Sequence, residues 1–313
     1  MTRNKRPIRS VACLGEVMIE LIADKDGAAQ LGVAGDTYNS AVYLARLLRP
    51  AQVPVSYVTA LGNDPYSLRI LTALTAHGID DTLIETRPGM MPGLYAIDTD
   101  EHGERSFSYW RSAAAARTLF TPPCTIAPTA LDALDMILLS GISLAILPPK
   151  SRDRLIAYLQ QFSANGGTVV YDSNYRPALW EDVNTARMLT ARMWQGADIA
   201  LPSVDDEMAL FEDASEDAAL ERLKSYGITR GALKRGAQGP LDLSGKHPTP
   251  PAPGFPVDVV DSTAAGDSFN AGYLAALIQG HDDSTAMARG HALAARVIGC
   301  RGAIIPPDRM PQD

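Results

Sequence analysis

Short apolar runs of strand length recur along the chain at residues 11–14, 55–60, 136–141, 168–172 and 199–201, and helical periodicity fills much of the space between them. Residues 37–48 place Ala41, Leu44, Ala45 and Leu48 on one helical face, and residues 151–162 gather Leu155, Ile156, Leu159 and Phe162. Asn165-Gly166-Gly167 then supplies a stop. Strand alternating with helix predicts a mostly parallel sheet covered by helices on both faces. Two segments depart from this pattern. Residues 93–99 and 105–111 alternate with period two around Asp100-Glu101-His102-Gly103-Glu104, which predicts a β-hairpin. The alternation puts Tyr109 and Arg111 on one face, where an aromatic wall and a cation could be presented together; a cross-strand aromatic pair beside a surface arginine fits the pattern as well. Residues 244–256 are rich in proline and glycine and predict an exposed connector.

Composition narrows the function classes. A chain of 313 residues with 46% hydrophobic content can bury a large core as one α/β domain or two smaller ones. Its 28 Lys plus Arg against 36 Asp plus Glu give a net charge of −8, which speaks against a nucleic-acid partner. An anionic substrate would then need a locally basic site made of a few placed arginines and helix N-termini. Cys13, Cys124 and Cys300 are scattered without a C-x-x-C pair and read as reduced thiols. Arg3, Lys5, Arg6 and Arg9 precede an apolar stretch as in a leader peptide, but Glu16 and Glu20 interrupt it, so a strand is expected there. The longest apolar run, residues 136–149, is about 14 residues long and falls short of a membrane span. A cytoplasmic protein with no membrane partner is the expectation.

The run Asp261-Ser262-Thr263-Ala264-Ala265-Gly266-Asp267-Ser268-Phe269-Asn270-Ala271-Gly272 carries the most chemistry. Ala264, Ala265 and Gly266 have little side chain to keep an anion from the backbone, and their amides would stand at the positive end of a helix. Asp267 would sit beside that anion as a base for a substrate hydroxyl. An ordinary helix N-cap also fits. This stretch resembles the carboxyl-terminal signature of the ribokinase-like (PfkB) carbohydrate kinases, Asp-Thr-Thr/Ala-Gly/Ala-Ala-Gly-Asp, with Ser262 for the common Thr and Ala264-Ala265 for Gly-Ala. The resemblance extends from Gly15-Glu16-Val17-Met18-Ile19-Glu20-Leu21 to Arg301-Gly302-Ala303-Ile304-Ile305-Pro306. Within the family it is strongest to the keto-deoxygluconate kinases.

The resemblance implies a ribokinase-like three-layer α/β/α sandwich over residues 1–313, with a mostly parallel central sheet. A small β-sheet lid would come from segments at about residues 16–34 and 93–111 of this chain. Lid pairing between subunits implies a homodimer or higher homo-oligomer. Gly35, Asp36 and Asn39 fall in the sugar-binding signature; from the residues alone they are also a turn plus an N-cap. Tyr95 and the Tyr109-Trp110-Arg111 triplet match the element that contacts an acid substrate. Asp172-Ser173-Asn174-Tyr175-Arg176-Pro177 leaves a buried strand at the edge where open α/β sheets bind ligands. Arg176 there could pair with a carboxylate or make a structural salt bridge.

No Walker A loop is present, since Gly245-Lys246 is followed by His247, and no Gly-x-Gly-x-x-Gly follows a strand. Lys234-Arg235-Gly236-Ala237-Gln238-Gly239 resembles the family's loop at the nucleotide, although a hairpin turn with exposed charges has the same composition. Asn174 joins this group, and Ala264 and Gly266 would face the phosphates. Ser203 and Asp206 stand where the family has Asn and Glu near Mg²⁺. Asp206 is thereby the candidate metal residue, through water if Mg²⁺ keeps its shell, and an acidic helix N-terminus is the competing explanation. The implied cofactors are ATP and Mg²⁺, with a monovalent cation beside Asp261 as a further possibility. The implied reaction is ATP-dependent phosphorylation of the terminal hydroxyl of 2-keto-3-deoxygluconate. The rivals are a family kinase for fructose, ribose or another deoxy-keto acid, and a non-catalytic sugar-binding protein.

Overall fold

The computed structural model describes residues 5–23, 29–99, 105–255 and 257–311. Strands β1 (Val11–Leu14), β4 (Val55–Leu61), β5 (Ile84–Thr86), β8 (Met136–Ser140), β9 (Thr168–Asp172) and β10 (Ile199–Ala200) pair in parallel in the order β10-β9-β8-β1-β4-β5. β2 (Met18–Ala23), β3 (Ala29–Ala34), β6 (Gly93–Thr99) and β7 (Arg105–Trp110) form the second sheet, in the order β3-β2-β6-β7. The helices are α1 (Asp36–Leu48), α2 (Pro65–His77), α3 (Gly141–Ala145), α4 (Pro149–Ala164), α5 (Val183–Gly196), α6 (Val204–Phe211), α7 (Glu216–Ser225), α8 (Ala265–Ile278) and α9 (Asp283–Ile298).

The strands of the parallel sheet are mostly apolar, and their side chains part alternately to two cores. Val11 and Cys13 join Tyr57, Leu138 and Val170 against α1, α8 and α9. Ala12 and Leu14 join Val58, Leu139, Val169 and Tyr171 against α4 and α5. These are the three layers the sequence predicts. Helices α8 and α9 approach closely because glycine meets glycine: a Cβ on Gly272 would lie 2.9 Å from the Gly290 Cα. Bulk at either position would push α8, and the helix start it carries, away from the sheet.

The hairpin of β6 and β7 is antiparallel, Tyr95 opposite Tyr109, while its turn at residues 100–104 lies outside the described residues. Its partner is β2, paired in parallel with β6 from Met18↔Gly93 to Ile22↔Ile97. The lid is therefore continuous with the main sheet, since β1 runs through Gly15-Glu16-Val17 directly into β2. The run expected as a strand over 136–141 ends at Ser140, whose side chain caps α3 by accepting from Ser143 N at 3.3 Å. The connector before α8 holds no helix or strand in its described part, but it is tied rather than loose. Asp242, in β12 (Leu241–Asp242), accepts from the backbone of Ser244, Lys246 and His247 at 2.9–3.0 Å. Among the described residues, no helix is long and apolar enough to cross a membrane.

Candidate active site

A cavity of about 1120 Å³ opens along the carboxyl edge of the parallel sheet, beneath the lid. Strands β1, β8 and β9 and β11 (Ala232–Leu233) each end near it, which is where an open α/β sheet presents unpaired backbone and divergent loops. The structure brings Gly35, Asp36, Asn39, Tyr95, Tyr109, Arg111, Asn174, Arg176, Ser203, Asp206, Lys234, Arg235, Gly236, Ala264, Ala265, Gly266 and Asp267 to its lining. Gly239 lies outside it, with φ +79° and its carbonyl accepting from Arg235 Nε at 2.9 Å.

The centre is the start of α8. Ala264 takes a left-handed turn at φ 62°, and Ala265, Gly266 and Asp267 after it line the cavity. Ser268 N donates to Ala264 O at 2.9 Å and begins the helical ladder, and Ala265 N donates to Ser262 O at 3.2 Å. Among the described residues the amides of Gly266 and Asp267 have no protein acceptor, so these two, more than Ala265, are left for an anion. The Lys234 ammonium adds charge there, because a Cβ on Gly266 would come within 3.6 Å of its Nζ.

Asp267 faces the cavity and accepts from Asn39 Nδ2 at 2.8 Å, while its carbonyl accepts from Ser40 Oγ at 3.1 Å. Helices α1 and α8, distant in sequence, are thus joined at the carboxylate itself. Asn39 Oδ1 is buried with no hydrogen-bond partner among the described residues. Asp36 Oδ2 accepts from Ser140 Oγ at 2.5 Å and from Asn174 Nδ2 at 3.0 Å. Gly35 is fixed by packing as well as by any ligand, since a Cβ there would lie 2.4 Å from the Glu16 carbonyl oxygen. Asp172 completes a triangle of acids; its Oδ2 accepts from Lys234 Nζ at 2.6 Å and Asn270 Nδ2 at 2.5 Å.

Burial raises the Asp267 carboxyl to about 8, with the charges of Asp36 and Asp172 adding to the rise and Asn39 and Lys234 opposing it. Asp36 is also raised, first by burial and then by Asp172, against its bonds to Ser140 and Thr37. Such a cluster favours proton uptake from a hydroxyl and an added cation.

Tyr95, Tyr109, Arg111 and Arg176 stand at the cavity, with the two arginines already partnered. Tyr95 and Tyr109 stack with ring centroids 5.8 Å apart, and the Arg111 guanidinium lies 5.8 Å over Tyr109. Arg111 Nε donates to Glu16 Oε2 at 2.9 Å, and Glu16 is 1% exposed. Burial raises the Glu16 carboxyl and Arg111 opposes that rise. Arg176 Nη1 donates to Tyr175 O at 2.7 Å and to Asp206 Oδ1 at 3.3 Å. Asp206 is raised by burial, with Arg176 pulling it back. Arg235 is turned into its own loop, held by Glu216 Oε1 and Thr249 Oγ1 at 2.9 Å each. Ser203 N donates to Ser173 Oγ at 3.3 Å. Asp261 is 5% exposed, its oxygens accepting from Thr263 N at 3.0 Å and Gly302 N at 2.7 Å. Among the described residues no group of three His, Cys, Asp or Glu is disposed to hold a metal by itself. Asp172 and Glu16 were not among the sequence candidates. Asp172 had a visible signal, an acid ending the apolar strand Val169-Val170-Tyr171, while Glu16 gave none beyond interrupting a run.

The family model for pfkB family carbohydrate kinases matches residues 8–310, and the chain belongs to that family. The chain is 42% identical over 307 residues to a protein of Escherichia coli K12 named 2-dehydro-3-deoxygluconokinase, covering 97% of this chain and 99% of that one. A protein of the same name from Dickeya dadantii is 43% identical over 307 residues, with the same coverage. Among solved structures, a fructokinase from Vibrio cholerae with fructose, ADP and calcium bound superimposes with a TM-score of 0.80 at 24% identity, covering 95% of this chain and 94% of that one.

Proposed function

We propose that the protein transfers the γ-phosphoryl group of ATP to the terminal hydroxyl of 2-keto-3-deoxy-D-gluconate, giving 2-keto-3-deoxy-6-phosphogluconate and ADP. The observation that carries the kinase reading is the Asp267 carboxylate, bonded to Asn39 and set beside the open amides of Gly266 and Asp267. Near-full-length identity to two proteins named 2-dehydro-3-deoxygluconokinase supports the substrate.

Asp36 and Asn39 offer acceptors and donors to sugar hydroxyls, with the Tyr95–Tyr109 stack and Arg111 walling the other side. Asp267 takes the proton of the attacking hydroxyl, the new O–P bond forms, and the bond from phosphorus to the ADP oxygen breaks. The Gly266 and Asp267 amides and Lys234 receive the charge on the transferring group, where one preorganised donor can be worth about 3–4 kcal/mol. Ser203, Arg235 and Gly236 border the nucleotide side. The donor set fits Mg²⁺, which needs few protein ligands: Asp206 is a carboxylate raised by burial and met by a single arginine. Mg²⁺ held there would neutralise phosphate charge. A monovalent cation beside Asp261 belongs to the same reading and rests on family resemblance alone. Dependence on ATP agrees with a cytoplasmic setting. The exposed Tyr109 and Trp110 of β7, 54% and 61% accessible, suit a lid that pairs between subunits, which light scattering would test.

The test is ADP release from Mg-ATP with 2-keto-3-deoxygluconate beside fructose, ribose and 2-keto-3-deoxygalactonate at equal concentration. Strong preference for the first is the expected result. Preference for a neutral sugar would keep Asp267 as base and remove the acid assignment, and binding without ADP formation would overturn the kinase reading.

A further inference from the structure

A lysine ammonium is a compact charge on a flexible stem, so it stands where its acceptors hold it. Lys234 has a fixed root: its N donates to Pro202 O at 2.8 Å and its carbonyl accepts from Val204 N at 3.0 Å. Its ammonium carries three N–H donors. Two are taken, one by Asp172 Oδ2 at 2.6 Å and one by Asn270 Oδ1 at 3.2 Å. Among the described residues the third has no protein acceptor. The side chain lines the cavity, and its Nζ would lie 3.6 Å from a Cβ on Gly266, beside the amides left open for an anion.

Asn270 closes this arrangement from behind. It is 2% exposed, stands outside the cavity lining, and follows Gly266 by four residues, on the same face of α8. Chemistry allows its amide one orientation. Nδ2 donates to Asp172 Oδ2 at 2.5 Å and Oδ1 accepts from Lys234, whereas the reverse would set a donor against the ammonium and an acceptor against the carboxylate. Lys234, Asp172 and Asn270 therefore form a closed ring of hydrogen bonds. With Asp172 alone the ammonium could swing about one carboxylate oxygen; the second acceptor fixes where the third N–H points. Helix α8 is itself held by the Gly272–Gly290 approach to α9 and by Ser40 Oγ donating to Asp267 O at 3.1 Å. One rigid helix thus carries both the Gly266 amide and the group that aims Lys234 beside it.

We infer that Asn270 is a positioning residue for phosphoryl transfer: it directs the remaining N–H of Lys234 to the anion site at the start of α8. This rests on the reading above in which Lys234 receives charge from the transferring group. Asn270 touches neither substrate in this assignment, so its removal acts on turnover rather than on capture.

The experiment compares wild type, Asn270→Leu, the double variant Lys234→Met with Asp172→Asn, and the triple variant that combines them. ADP release from Mg-ATP and 2-keto-3-deoxygluconate is the assay, and thermal melting shows that each protein is folded at the assay temperature. Leucine is close to asparagine in size and offers no hydrogen bond; Asn270→Ala, which cannot clash, is the second variant and carries the same expectations. Asn270→Leu should lower kcat about 10- to 100-fold with both KM values within about threefold, the range for a preorganised donor misplaced by about 1 Å. Once the ammonium is gone, Asn270→Leu should lower kcat no further, because the two residues act as a unit. A merely structural asparagine would cost the same factor in both backgrounds, and that result overturns the assignment. So does a normal kcat in Asn270→Leu beside an impaired double variant. A double variant with wild-type kcat overturns the role of Lys234 itself, and the assignment of Asn270 falls with it.

Discussion

Replacing Asp267 with asparagine separates what this carboxylate does for chemistry from what it costs the fold. The substitution keeps size and an acceptor for Asn39 Nδ2, now 2.8 Å away, and removes the proton acceptor and the charge. Loss of a general base of this kind should lower kcat by about 10²- to 10⁴-fold, or about 3–5 kcal/mol of barrier. Stability should move the other way. The folded carboxyl sits at about 8, above its unfolded value of about 3.9, so the native state holds a proton that the unfolded chain releases between those limits. Stability from this group is therefore present below about pH 4 and is lost as pH rises toward 8. Solvent in the cavity screens part of the effect, leaving about 1–2 kcal/mol, or about 2–4 °C in Tm, for the asparagine variant to recover near pH 8. Melting without ligand at pH 5 and pH 8, alongside ADP release, checks both halves. Wild-type kcat/KM should also climb with pH toward 8 as the base deprotonates. Near-normal turnover in the variant, or a Tm difference that fails to grow with pH, would refute the reasoning.

Ala264→Gly should raise stability by about 0.5–1 kcal/mol in chemical denaturation, because an alanine at φ 62° bears a left-handed penalty that glycine does not. Lys234→Met should destabilise by about 3–5 kcal/mol, since it strands the Asp172 carboxylate, whose side chain is 6% exposed; adding Asp172→Asn should restore much of that loss. Asp206→Asn should raise the Mg²⁺ concentration for half-maximal ADP release several-fold and leave the apo Tm within about 2 °C, as the Arg176 contact it breaks is on a side chain 53% exposed.

What could be read ahead of the structure followed from how local each determinant is. The strands at residues 11–14 and 168–172 were both legible to the residue, because burial on two faces makes their interiors apolar and leaves the polar Thr168 and Asp172 to the ends of the second. Strands β11 and β12, two residues each, leave too little sequence for a period. Helix α2 was legible and passed over: Asp64 caps Tyr66 N and Ser67 N, Pro65 opens the helix, and Gly78 closes it at φ 73°. The site residues of residues 261–272 were visible because a glycine-poor turn, a helix start and an acid stand together in one stretch. The state of Arg111 was not, because its neutralisation by Glu16 depends on the parallel pairing of β2 with β6, which joins segments about 75 residues apart that share no local signal. For Arg176 the salt bridge weighed from the sequence is present, to Asp206, whereas the Glu16 partner of Arg111 is supplied only by the folded chain.

The bond from Asn39 to Asp267 spans 228 positions and that from Lys234 to Asp172 spans 62. On a ribosome the acids at positions 36 and 172 emerge before the ammonium that tempers them, and at about 5–20 residues per second the wait for Lys234 after Asp172 is about 3–12 s. The helix bearing Asp267 comes later still. The nascent chain therefore carries an unneutralised acidic pocket that cannot close until the last fifth of the protein arrives. A truncated product lacking that segment would keep Asn39 without its Asp267 partner and would leave an uncapped sheet face where α8 and α9 belong, so incomplete synthesis exposes apolar core to proteolysis.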